Sequence, residues 1–200
     1  MPQLWKIPIL LLTWASYDIT TTPPTPPAHA EDRAKYTRLS RLAMLLQTHD
    51  IGRIALHNPY VSPLFMFGVS SAIIGALIRR WSYHAMGRHF TFQLAILKDH
   101  QLVTHGPYAY VRHPGYTAII LNIGGLFACE LSGGSWWVET HAFDSIVGKG
   151  VALLSMVSIV HIVAIVTRAP AEDRMLHEKF GKEWEEWKVQ VPYLLFPGIL

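Results

Sequence analysis

From Asn58 to Ile78 the chain runs about 21 residues without a charge, and Arg79-Arg80 follow at once. A helix needs about 20 apolar residues to cross the hydrocarbon core of a bilayer, and in lipid every backbone N–H and C=O must find its partner within the segment. The run therefore predicts a transmembrane helix with basic residues at its end. Ser62-Pro63 predicts a kink near its start, and Gly68 and Gly75 let another helix come close. Two more apolar runs follow, Gly115 to Cys129 and Gly150 to Thr167. The first is short but extends toward Trp136-Trp137, which suit an interfacial aromatic belt. Half of all residues are hydrophobic and 16% are charged, a balance that leans toward membrane. No stretch reads as a sheet strand. The predicted fold class is all-α, a polytopic membrane helical bundle.

The first part of the chain has a different character. Leu4 to Tyr17 is apolar but short, with Lys6 and Pro8 inside it. It reads as an uncleaved anchor, with a marginal span and a signal peptide as alternatives. Thr20 to Ala30 is rich in Thr and Pro, a linker composition. From Arg33 to Leu46 apolar and basic residues alternate at helical spacing, which suits a membrane surface or an amphipathic helix packed on the rest. Residues 1–57 thus form an N-terminal anchor, linker and amphipathic segment, and residues 58–200 a membrane domain.

Loop charges predict the orientation. Arg79 to His113 contains five Lys or Arg, the chain beyond Thr167 contains five more, and Glu130 to Asp144 contains none. Positive residues collect on the cytosolic side, so the Arg79 to His113 loop and the C-terminus are expected there. The Ala28 to Asn58 segment, with five Lys or Arg of its own, is then an exception, unless the first apolar segment does not span. The formal net charge is +3 with no basic block, which argues against nucleic-acid binding. A single cysteine, Cys129, excludes an intrachain disulfide framework.

Chemistry-bearing residues gather between two apolar runs, in Leu102 to Tyr116. Gly106-Pro107 predicts a turn, because Pro presets φ and Gly tolerates positive φ. His113-Pro114 predicts a second break, since a residue before Pro is biased out of the helical region, and Pro114 suits a first helical turn. Between the breaks stand Tyr108, Tyr110, Arg112 and His113, with Tyr116 just beyond. At a lipid boundary such a cluster is costly unless it is buried in protein or meets a polar ligand.

Arg168 and Glu172 fall on the same predicted side. Four residues apart, they would share a helical face as an ordinary ion pair, but Pro170 is expected to break the helix between them. Leu176, Phe180, Trp184 and Trp187 then recur at helical spacing among charges, predicting a C-terminal amphipathic helix broken at Gly181. The two tryptophans read as packing or surface anchors. His84 with His89, and His100 with His105, are spaced five apart with no Cys nearby, so no metal site is expected.

The ordered pattern Gly-Pro-Tyr-x-Tyr-Val-Arg-His-Pro-x-Tyr, a span, Arg-x-x-x-Glu, Leu-x-x-x-Phe-Gly-x-x-Trp-x-x-Trp and Val-x-Val-Pro resembles the isoprenylcysteine carboxyl methyltransferase family. The resemblance covers Phe90 to Pro197. It implies a multi-pass enzyme of the endoplasmic reticulum membrane, with a cofactor pocket facing the cytosol. Such an enzyme methylates the C-terminal carboxylate of a prenylated cysteine in CaaX-processed proteins, using S-adenosyl-L-methionine, with membrane lipid around it. Carried over position by position, it implies cofactor contacts at Gln93, at His100, Gln101, Leu102 and Val103, at Tyr108, and at His113, Pro114, Gly115 and Tyr116. Arg168 then matches the residue that receives the substrate, and Glu172 an acidic cofactor contact; these two are the candidate catalytic pair. The sequence departs from the pattern at Gly115, where Ser or Met is common, and in a thinner acidic run, Ala169-Pro170-Ala171 before Glu172.

The residue types suit that chemistry on their own account. An α-carboxylate titrates near about 3.3–3.7, so it is already ionised at neutral pH and needs no general base. A planar guanidinium can hold it bidentately, and aromatic faces attract a sulfonium. The rival readings are a related membrane methyltransferase for another lipid-like acceptor, such as a phospholipid amine, and a non-catalytic membrane relative. A membrane reductase is weaker, because no Gly-rich dinucleotide motif is present.

Overall fold

The computed structural model describes residues 61–87, 101–133 and 144–199, with residues 135, 138 and 141. The expected anchor, linker and basic amphipathic segment of residues 1–57, and Trp136-Trp137, lie outside the described residues. The described elements are α1 (Pro63–Met86), a 3-10 turn (Gly106–Ala109), α2 (Pro114–Glu130), α3 (Ile146–Phe180) and α4 (Lys182–Gln190). No strand occurs among the described residues, in agreement with the all-α expectation.

Ser62-Pro63 does not kink α1; it starts it. The Ser62 hydroxyl accepts from the Phe65 N–H at 3.0 Å, and Pro63 fills a first-turn position whose N–H has no partner in any helix. The helix does not stop at Ile78 either. It continues through Arg79-Arg80 and ends at Gly87, where φ is +50° and the N–H closes on the Tyr83 carbonyl. Its packing is inverted relative to a water-soluble helix. Small residues such as Gly68, Ala72, Gly75 and Ala76 face inward, while Leu64, Phe67, Ile74 and Leu77 face out. That arrangement suits a lipid surround, where large apolar groups gain nothing by leaving the tails and helices associate through close backbone approach. Among the described residues α1 is the one helix long and apolar enough to cross a membrane.

α2 lies antiparallel against α1, and its glycines decide how close. A Cβ on Gly125 would stand 2.5 Å from the Gly68 carbonyl oxygen and 2.7 Å from the Ala72 nitrogen. Two side chains donate across the seam: Asn122, fully buried, to the Ala72 carbonyl at 3.1 Å, and Ser71 to the Leu121 carbonyl at 2.8 Å. Gly125→Ala is expected to force the helices apart, since backbone cannot give way as a flexible side chain can, at roughly 1–3 kcal/mol. Gly124→Ala, with nothing within 4 Å of its added methyl, is the internal control. Thermal midpoints in detergent should fall for the first variant and hold for the second.

α3 corrects one expectation. The apolar run Gly150 to Thr167 is the middle of a 35-residue helix, capped by Ser145 and ended by Gly181 at φ +53°. Pro170 lies inside that helix and does not break it. A proline removes one i→i−4 hydrogen bond and crowds the preceding turn. Here the turn is held from outside, because Ala169 is fully buried and Asp173, one turn on, is bonded to the loop before α2. The expected break at Gly181 is present. Beyond it α4 buries Trp184 and Trp187 with Val191, and Leu102, Tyr108, Leu176 and Phe180 pack around them.

The chain after α4 returns across the loop before α2. Arg112 N–H donates to the Tyr193 carbonyl at 2.9 Å and His113 N–H to the Leu194 carbonyl at 3.0 Å. Thr117 Oγ1 donates to the Leu195 carbonyl at 2.5 Å. These bonds tie the backbone at Arg112 and His113, and the Thr117 side chain, to the chain after α4.

Candidate functional site

The loop before α2 owes its shape to its two prolines. Gly106 takes φ +65°, Pro107 opens the 3-10 turn, and Tyr110 N–H closes it on the Pro107 carbonyl at 3.2 Å. The turn sets Tyr108 on the tryptophan cluster, and Trp187 Nε1–H donates to its carbonyl at 3.2 Å. Burial pushes the Tyr108 phenol well above its ordinary range, so it remains a donor at neutral pH. His113 sits outside the helical region, with φ −124° and ψ 63°, and Pro114 begins α2. Both predicted breaks are therefore where the sequence put them.

Asp173 of α3 organises the polar groups that follow. Its Oδ2 accepts from Arg112 Nε at 3.0 Å and its Oδ1 lies 2.8 Å from His113 Nε2. Arg112 Nη1 also donates to the Val191 carbonyl at 3.0 Å and the Pro192 carbonyl at 2.6 Å. The Val-x-Val-Pro motif thus supplies two backbone acceptors for a buried guanidinium. Burial alone would raise the Asp173 carboxyl, but the His113 hydrogen bond and charge, and then Arg112, outweigh it and hold the carboxyl below its ordinary value. An ionised Asp173 accepts only, so His113 presents its proton on Nε2 and, when neutral, a lone pair on Nδ1.

Nδ1 faces Glu172, 3.6 Å away at Oε2. The same oxygen accepts from the Tyr116 hydroxyl at 2.7 Å. The Tyr116 ring stacks on His113 with centroids 5.4 Å apart and planes 10° from parallel. Glu172 is therefore bound across to α2. Arg168, one turn earlier on α3, is exposed, makes no ion pair among the described residues, and acts electrostatically on Tyr116.

Of the sequence-predicted positions, Tyr108, His113, Gly115, Tyr116, Arg168 and Glu172 are brought to one corner, where α2 begins and the apolar part of α3 ends. Pro114 is buried beneath them as the first residue of α2. Leu102 joins the tryptophan cluster, Val103 is half-buried and Gln101 is exposed. Gln93 and His100 lie outside the described residues. Asp173, Arg79 and Tyr83 were not among the predicted positions. Asp173 adjoins Glu172 and could have been paired with the Arg112-His113 dipeptide on charge alone. Arg79 read only as a topology mark, and Tyr83 carried no signal.

Residues 66–132 match the family model described as the Isoprenylcysteine carboxyl methyltransferase (ICMT) family. The resemblance drawn from the motifs is borne out. The matched region spans most of α1, the 3-10 turn and α2; Arg168 and Glu172 lie beyond it. Individual relatives match over longer stretches. A chain of Oryza sativa subsp. indica named "Probable protein-S-isoprenylcysteine O-methyltransferase" is 30% identical over 62% of this chain and 56% of its own length. "Protein-S-isoprenylcysteine O-methyltransferase B" of Arabidopsis thaliana is 27% identical over 63% of this chain and 56% of its own length. "Uncharacterized protein YpbQ" of Bacillus subtilis (strain 168) is 22% identical over 64% of this chain and 66% of its own length. The chain thus spans little more than half the length of the plant relatives it matches.

Proposed function

We propose that the protein is an S-adenosylmethionine-dependent methyltransferase that esterifies the C-terminal carboxylate of a prenylated cysteine on CaaX-processed proteins. The observation that carries this reading is one corner. There the Arg168–Glu172 turn of α3 meets the Tyr116 and His113 pair at the start of α2, so a guanidinium, a carboxylate and aromatic faces share one space. The family match supports methyl transfer as the reaction class.

The residues present fit the methyl donor. Glu172 supplies an anion for its ammonium, and the rings of Tyr108 and Tyr116 suit a sulfonium, a contact worth about 0.5–2 kcal/mol. When bound, S-adenosylmethionine supplies an electrophilic methyl group. Arg168 holds the acceptor carboxylate, which is ionised already and gives up no proton. Too tight a bidentate grip would blunt the attacking oxygen, so an exposed, partly hydrated Arg168 orients more than it activates; orientation can lower a barrier by roughly 7–11 kcal/mol. The expected donor contacts in this reading remain Gln93, His100, Gln101, Leu102, Val103, Tyr108, His113, Pro114, Gly115, Tyr116 and Glu172, of which Gln93 and His100 lie outside the described residues.

The setting belongs to the proposal as well. α1, α2 and the apolar part of α3 form a polytopic bundle, α4 rides amphipathically at its surface, and residues 1–57 precede this domain of residues 58–200. The enzyme resides in the endoplasmic reticulum membrane as a multi-pass protein. The loop charges support a cytosolic site, reached by the prenyl chain from the lipid side.

The second reading, methylation of a lipid amine, draws on the Asp173–His113 pair, since an amine acceptor must lose a proton and His113 is placed to take one. Membranes carrying the protein, given labelled S-adenosylmethionine and N-acetyl-S-farnesylcysteine, should form a base-labile methyl ester. Label appearing only in base-stable lipid would favour the amine reading. No label in either, from well-folded protein, would defeat both. Glu172→Gln is expected to weaken donor binding roughly 10-fold or more, as a charged hydrogen bond is worth about 1.5–3 kcal/mol, and to spare acceptor affinity. Equal losses in both would contradict the assignment of Glu172.

A further inference from the structure

His113 and Glu172 hold two acceptors face to face. His113 Nδ1 stands 3.6 Å from Glu172 Oε2, too far for a hydrogen bond between them. On the other side of the ring Asp173 Oδ1 lies 2.8 Å from Nε2 and takes the ring proton there. A neutral His113 therefore turns a lone pair toward a carboxylate oxygen. Two lone pairs so close repel unless a hydrogen lies between them. A second ring proton supplies it, or the N–H of a bound cation does. A primary ammonium carries three N–H donors and no acceptor, so one nitrogen can satisfy both groups.

The surroundings suit such a cation. The Glu172 side chain is 35% exposed and that of His113 6%, so the carboxylate is open to a ligand and the imidazole behind it gives direction. Tyr116 holds both, its hydroxyl donating to Glu172 Oε2 at 2.7 Å and its ring stacked on His113. Asp173 decides which ring nitrogen keeps the proton. Its Oδ2 accepts from Arg112 Nε at 3.0 Å, and Arg112 is tied in turn to the Val191 and Pro192 carbonyls. A guanidinium offers donors only, so Oδ2 stays committed to it and Oδ1 stays aimed at Nε2. The hydrogen bond at one ring nitrogen sets the state of the other.

We propose that Asp173 is a positioning residue that keeps the proton of His113 on Nε2, so that Nδ1 becomes a second acceptor beside Glu172 and the two together seat the primary ammonium of the methyl donor's amino-acid end. The inference rests on the methyl-transfer reading. Full-length protein in detergent micelles at neutral pH would be titrated by calorimetry with S-adenosylhomocysteine and with its deamino analogue, in which hydrogen replaces the α-ammonium. Wild type should prefer S-adenosylhomocysteine. In Asp173→Asn the amide oxygen is expected to stay with Arg112, which cannot accept, and the amide N–H to face Nε2, moving the ring proton to Nδ1. S-adenosylhomocysteine should then weaken roughly 10- to 100-fold, with the deamino analogue unchanged. Should Asp173→Asn fail to fold, the ¹⁵N shifts of His113 in the wild-type complex with S-adenosylhomocysteine carry the test: Nε2 should be protonated and Nδ1 bare. A protonated Nδ1 in that complex, or an Asp173→Asn protein that loses neither ligand or both equally, overturns the inference while the methyl-transfer reading stands. So does a wild type that binds the two ligands alike. A wild type that binds neither overturns that reading and the inference with it.

Discussion

Arg168→Ala is expected to lower kcat/KM for N-acetyl-S-farnesylcysteine by roughly 100- to 1000-fold, the loss of a bidentate charged contact and of the alignment it provides. The fold should survive, because Arg168 is exposed and makes no ion pair among the described residues. Affinity for S-adenosylhomocysteine should therefore stay near wild type, separating an acceptor role from a donor role. Arg168→Lys should recover only part of the loss, since an ammonium supplies a point charge without the planar fork. The measurement is ester formation in membranes across acceptor concentrations, with an independent donor titration. If Arg168→Ala kept its rate, the acceptor carboxylate would have to be held elsewhere. The corner between α2 and α3 would then lose its claim to be the reacting centre.

Asp173→Asn is expected to have the largest effect on stability, about 3 kcal/mol. The figure sits at the low end for a buried ion pair broken on one side, because Arg112 keeps the Val191 and Pro192 carbonyls. Asp173 accepts from Arg112 on one oxygen and faces His113 Nε2 with the other. The asparagine amide turns one of those acceptors into a donor, so either Arg112 meets an N–H or His113 must change tautomer. In the second case Nδ1–H turns toward Glu172, and donor binding changes together with stability. Thermal midpoints of both proteins in detergent measure the first effect; equal midpoints at neutral pH would show that Asp173 does not clamp the loop. The pH dependence has a definite sign. The folded carboxyl lies below its ordinary value of 3.8, so its contribution is complete at pH values above 3.8. It is lost only as the pH falls further, through the folded pKa. The gap between wild type and Asp173→Asn should therefore persist from neutral pH down toward 4 and close in more acid solution.

Local signals in the chain were read well where backbone chemistry acts alone. Gly106-Pro107, His113-Pro114 and Gly181 shape the backbone through φ, and each break is present. Ser62-Pro63 and Pro170 were misread, for the same reason in opposite directions. A proline fixes its own φ and removes one donor, but its effect on a helix depends on what surrounds it. Pro63 begins a helix because Ser62 caps it. Pro170 is tolerated because Ala169 is packed and Asp173 is bonded across to another element. The site was legible in part. Tyr108, His113, Tyr116, Arg168 and Glu172 announced themselves as costly polar residues beside apolar runs. Arg79 and Asp173 did not, since nothing in their neighbours along the chain tells what faces them across space.

By itself the sequence determined a helical chain with a bilayer-length apolar run and a set of turns. It also carried polar residue types suited to holding a carboxylate and a cationic donor. These follow from composition and periodicity, which act over a few residues. Which side chains meet was decided only in three dimensions. The glycine seam of α1 and α2 sets how near Arg79 comes to Gly115, and Asp173 ties α3 to a loop some 60 residues earlier, the separation of its His113 contact. Charges and hydrogen bonds act through distance in space, and distance along the chain does not give it.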